Sequence, residues 1–99
     1  MMTVVTHVSI EPGKEATWDT AFRERVSAAR KQPGWISVQL CASAQAPNQR
    51  VVIGTWENRA AWEAWHTTDV FQRTRHDLEG AQISERQTWW HNVILNEHQ

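Results

Sequence analysis

The spacing of apolar residues switches between a period of two and a period near 3.6 along this chain, and the order of those switches restricts the fold more than any single residue does. Thr3 to Ile10 alternates and is rich in β-branched residues, which predicts a strand with Val4, Thr6, Val8 and Ile10 on one face and Val5, His7 and Ser9 on the other. Glu11-Pro12-Gly13-Lys14 is a turn. From Glu15 to about Gln32 the period becomes helical. Trp18, Phe22, Val26 and Ala29 recur every three or four residues, with Asp19, Arg23, Glu24, Arg25 and Arg30 assigned to other faces, and Pro33-Gly34 stops the helix. Trp35 to Ala42 and Val51 to Trp56 alternate again and form an antiparallel hairpin across a polar loop. Asn58 caps a short helix through His66. Thr67-Thr68-Asp69 interrupts it and starts another, with Val70, Phe71, Thr74 and Leu78 inward and Gly80 as its stop. A last strand runs from Ile83 to Leu95. The order is βαββαβ, the α+β ferredoxin-like arrangement, in which an antiparallel four-stranded sheet carries its helices on one face.

That arrangement leaves one sheet face bare, yet both faces of the first and last strands carry apolar residues. Packing the bare face against a second copy resolves the conflict and predicts a homodimer, a dimeric α+β barrel. At 99 residues the chain is expected to be a single domain, residues 1–99 with a core of about 3–95, and it shows no internal repeat. A 40% hydrophobic and 21% charged composition is that of a globular protein. Net charge is −1 with both signs interspersed, so no basic block exists to neutralise phosphates and nucleic acid is excluded as a partner. No apolar run approaches membrane-spanning length and no signal region opens the chain, which makes the cytoplasm the expected location. The lone Cys41 reads as a small buried hydrophobe of a strand interior.

Leucines are few (Leu40, Leu78 and Leu95), so the seven tryptophans must supply much of the buried volume. Trp18, Trp35 and Trp56 read as packing residues. Trp89 and Trp90 point to opposite faces, one under a helix and one into the dimer interface. Trp62 and Trp65 lie three apart on one helical face, where they build either a core or the wall of a pocket for a flat ligand.

Gln32-Pro33-Gly34-Trp35-Ile36-Ser37-Val38-Gln39-Leu40, then Gly54-Thr55-Trp56-Glu57-Asn58 and Ala61-Trp62-Glu63-Ala64-Trp65, resemble the antibiotic biosynthesis monooxygenase domain over nearly the whole chain. Two activities follow from the resemblance as alternatives. One branch oxidises aromatic polyketide hydroquinones with molecular oxygen and neither metal nor flavin. The other degrades haem with an asparagine on strand one, a tryptophan after strand three and an axial histidine about ten residues further on. Carried over by register, the tryptophan is Trp65, but the asparagine position holds Thr6 and the histidine position holds Thr74 or Arg75, with His76 next. Moving His76 into place would require a rotation of about 100°.

Oxygenation without a cofactor needs a substrate that itself donates an electron to oxygen, and therefore a flat pocket with apolar walls and a group that removes a proton. The expected substrate-binding residues are Thr6, Phe22, Trp62, Trp65 and Phe71, with Val4 and Val8 beside them. Arg75 and His76 are the expected catalytic groups, His76 as general base and Arg75 orienting an anionic oxygen. No histidine–cysteine spacing matches a zinc site, so no metal is expected. The resulting expectation is a small cofactor-independent monooxygenase acting on a hydroquinone-like aromatic and O2. Haem degradation and ligand binding without chemistry are its alternatives.

Overall fold

A computed structural model describes residues 1–84 and 86–98. The elements are β1 (Met2–Ser9), α1 (Glu15–Ala29), β2 (Trp35–Ala42), β3 (Gln49–Trp56), α2 (Arg59–His66), α3 (Asp69–Gly80) and β4 (Gln87–Asn92). They form one antiparallel sheet in the order β2-β3-β1-β4, so the fold is the α+β ferredoxin-like one expected.

Register sorts the side chains. Val4 lies opposite Gly54 and Trp90, and Thr6 opposite Val52 and Thr88, so these share the face under the helices. Val5, Ile53 and Trp89 share the other face, as do His7, Val51 and Cys41. The helical face holds two clusters. In one, Val8, Ile10, Trp18, Phe22 and Leu78 close one end of the sheet, with Trp18 and Phe22 stacked at 5.1 Å. In the other, Trp56, Trp65, Phe71 and Ala29 close the opposite end. Trp18, 2% exposed, stabilises its cluster by on the order of 4–6 kcal/mol before entropic cost, taking about 25 cal/mol per Å² over an indole.

Several expectations change in detail. Helix α1 ends at Ala29 rather than Gln32, and Gly34, at φ +84°, turns the chain into β2 while its carbonyl accepts from the Glu57 amide at 2.8 Å. The last strand spans Gln87–Asn92 instead of Ile83–Leu95: β1 ends at Met2, past Asn92 only the Val93 amide still donates to the Met1 carbonyl at 3.1 Å, and Glu85 in the expected span lies outside the described residues. His7 pairs with Gln87 and His91 with Thr3, which sets the two histidines four positions apart along the sheet. Cys41 is exposed rather than buried, since β2 is an edge strand and the sheet face carrying the thiol has no helix over it. Arg50, only 7% exposed, is held by a two-pronged pair with Asp19 at 2.9 and 3.1 Å and by the Pro47 carbonyl at 2.7 Å, which clamps β3 to α1. That pairing raises the Arg50 pKa above its ordinary value, the Asp19 hydrogen bond being the main cause.

Candidate functional site

Between the two core clusters the sheet and helices do not close, and a cavity of about 260 Å³ remains. Its floor is the helical face of the sheet, with Val4, Thr6, Gly54 and Thr88. Its walls are Phe22 and Arg25 from α1, Trp62, Trp65 and His66 from α2, and Phe71 from α3. Trp90, 42% exposed, stands at the mouth with its ring 5.4 Å from that of Trp62 in an edge-on contact, and the Arg59 guanidinium lies 4.7 Å over it.

Local sequence explains why these aromatics face one space. The Asn58 side chain accepts from the Ala61 amide at 2.8 Å and starts α2, so Trp62 and Trp65 project from adjacent turns. The Thr68 hydroxyl donates to the Trp65 carbonyl at 2.8 Å and accepts from the Phe71 amide at 3.3 Å, ending α2 and opening α3. Phe71 is thereby turned back to meet Trp65 edge-on at 5.6 Å.

All five residues expected to bind substrate, Thr6, Phe22, Trp62, Trp65 and Phe71, line this cavity. The two expected catalytic groups do not. His76 is exposed and lies about 140° around α3 from Phe71, facing away from the sheet. Arg75 is exposed and paired with Glu79 at 2.7 Å, on a shallow outer groove.

The expected residues do not include the three basic side chains at the cavity, His66, Arg25 and Arg86. His66 sits between Trp62 and Phe71, with ring centroids at 4.0 and 4.2 Å, and its Nδ1–H donates to the Trp62 carbonyl at 2.7 Å. That hydrogen bond leaves Nε2 as the basic nitrogen, and burial pushes the imidazole pKa below its ordinary value. Arg25, 7% exposed, donates through Nε to Thr74 Oγ1 at 3.0 Å and through Nη2 to the Phe71 carbonyl at 3.2 Å, and its guanidinium lies 4.1 Å over the Phe71 ring. Burial lowers its pKa to about 10, with the positive charge of Arg86 adding to the effect. Arg86, half-buried at the cavity, is lowered for the same reason. Among the described residues no aspartate or glutamate lines the cavity.

The positions that the haem-degrading branch of the resemblance would use are filled differently here. Thr74 is buried with its hydroxyl donating to the Val70 carbonyl at 2.8 Å, His76 lies outside, and Thr6 replaces the asparagine. A cavity of about 260 Å³ is also below the roughly 300–1,000 Å³ of sites for drug-sized ligands. Among the described residues no three His, Cys, Asp or Glu side chains come together as metal ligands, and no helix is long and apolar enough to cross a membrane.

The sequence pattern of the antibiotic biosynthesis monooxygenases matches residues 1–77. The chain belongs to that family. Solved structures agree in fold. An antibiotic biosynthesis monooxygenase-type protein from Nitrosomonas europaea superposes with a TM-score of 0.90 at 17% identity, covering 96% of this chain and all of its own. SnoaB, a cofactor-independent oxygenase from Streptomyces nogalater, superposes at 0.82 with 21% identity and 97% of both chains covered. A Caulobacter crescentus protein of the same type reaches 0.89 at 17% identity, over 95% of this chain and 90% of its own. No curated protein matches. Membership of the antibiotic biosynthesis monooxygenase family supports monooxygenase chemistry for this chain, and identities this low carry the fold alone.

Proposed function

We propose that this protein is a cofactor-independent monooxygenase of small hydroquinone-like aromatics. The observation that carries the reading is His66, an imidazole held by its Nδ1–H in the wall of a cavity rich in aromatic side chains. In a phenol whose keto tautomer exposes a ring CH2, Nε2 of His66 takes a proton and the ring anion passes an electron to O2. Superoxide and the ring radical join to form a C–O bond, and the peroxide takes up a proton. Loss of water then leaves a carbonyl, so one oxygen atom enters the product, the other leaves as water, and the substrate supplies every electron. Aromatic walls keep water from these intermediates.

A volume of about 260 Å³ favours a substrate of about two fused rings. The test is oxygen uptake above autoxidation with one-, two- and four-ring hydroquinones, with ¹⁸O2 tracing one atom into product. Uptake with the bicyclic compounds is expected. Tight binding without uptake would assign the cavity to ligand binding alone, and neither binding nor uptake would remove the reading altogether.

The same proposal includes a homodimer joined through the open sheet face. Val5, Val51, Ile53 and Trp89 alternate there with polar residues, Trp89 is 58% exposed, and no helix covers them. Trp89→Glu is expected to convert the protein to a monomer by sedimentation analysis. A wild type that sediments as a monomer at micromolar concentration would exclude the dimer.

A further inference from the structure

We infer that the cavity takes its aromatic ligand as an anion, with Arg25 as the receptor for the negatively charged oxygen. The inference rests on the aromatic-cavity reading above and names the substrate class, an aromatic ring bearing a carboxylate. Arg25 is buried, yet both its hydrogen bonds go to neutral acceptors, the Thr74 hydroxyl and the Phe71 carbonyl. Among the described residues no carboxylate pairs with it, whereas the other buried arginine, Arg50, has Asp19. A buried charge without a counter-ion is costly, and an isolated one is ordinarily paired. Among the described residues nothing accepts from Arg25 Nη1, and Arg25 itself lines the cavity. Arg86 adds a second positive charge, and the described lining contains no acid to offset either.

A structural arginine that merely bridges α1 to α3 would use the same two hydrogen bonds but would give the cavity no preference for charge. The two roles separate with a matched pair of probes, 2-naphthoate and 2-naphthamide, which share ring and shape and differ in charge. Calorimetric titration of the wild type is expected to give about 10- to 100-fold tighter binding of 2-naphthoate, the range for a hydrogen bond to a charged group. Arg25→Met should abolish that preference, so that the two probes bind alike. Equal binding of both probes by the wild type would overturn the inference and leave the aromatic cavity standing. Binding of neither would remove the cavity reading and this one with it. A preference retained in Arg25→Met would also overturn the assignment. Should that variant not fold, Arg86→Met decides: a preference that survives there belongs to Arg25, and one that vanishes belongs to Arg86.

Discussion

Exchanging His66 for phenylalanine is expected to lower turnover of a hydroquinone-type substrate by about 10²- to 10⁴-fold, the usual contribution of a positioned general base. The phenyl ring keeps the contacts with Trp62 and Phe71, so the fold should survive and the melting temperature should change little. Oxygen uptake by folded protein measures the effect; wild-type rates in His66→Phe would remove His66 from the chemistry. The pH profile supplies an independent check. Because burial holds the His66 pKa below its ordinary value, the imidazole stays neutral and basic under conditions that protonate an exposed histidine. Activity should therefore persist below about pH 6.5, the ordinary imidazole value, and fall only as the lowered pKa is crossed. Stability follows the same sign. The unfolded chain binds the proton more readily than the folded one, so stability is full above about pH 6.5 and is lost as pH falls from there toward the folded pKa. His66→Phe should lose that part of the pH dependence.

The second large effect concerns folding. Gly34→Ala is expected to destabilise the protein by about 2–5 kcal/mol, measured by denaturant unfolding. A non-glycine residue at φ +84° costs roughly 1–2 kcal/mol, and a Cβ there would stand 2.6 Å from the Cβ of Ala61, adding roughly 1–3 kcal/mol of overpacking. Ala61 is one residue from Trp62, so the clash pushes on the helix that walls the cavity. In Gly34→Ala/Ala61→Gly the steric part should return while the backbone part remains. Full recovery in the double variant would show that φ at this position contributes nothing.

Most of the architecture was legible because the chain writes its elements in two different periods. The strand Trp35–Ala42, the cap at Asn58 and the break at Thr67–Asp69 follow directly from residue type and spacing. The ends of β4 were not legible. Ile83, Ile94 and Leu95 continue an apolar pattern, but the length of a strand depends on its neighbour, and β1 ends at Met2. The cavity divides along the same line. Its aromatic wall is visible in the spacing of Trp62, Trp65 and Phe71. Arg25 was assigned to a polar face although residues 18, 21, 22, 25 and 29 fall within roughly 100° of arc on α1, placing it inside the buried stripe. A charged residue within an apolar stripe was the available signal. His66 carried none, because its role depends on Phe71 folding back across a helix break. His76 was favoured by chain order alone, and the rotation of α3 takes it outward.

That break has a mechanical consequence. One hydroxyl, on Thr68, both closes α2 and opens α3. The cavity wall is thus two stiff plates hinged at Thr68, Trp65 and His66 on one and Phe71 on the other, with Gln72 Nε2 on the His66 carbonyl at 2.8 Å as a second tie. The gape between them is set at a joint that is itself no part of the cavity lining.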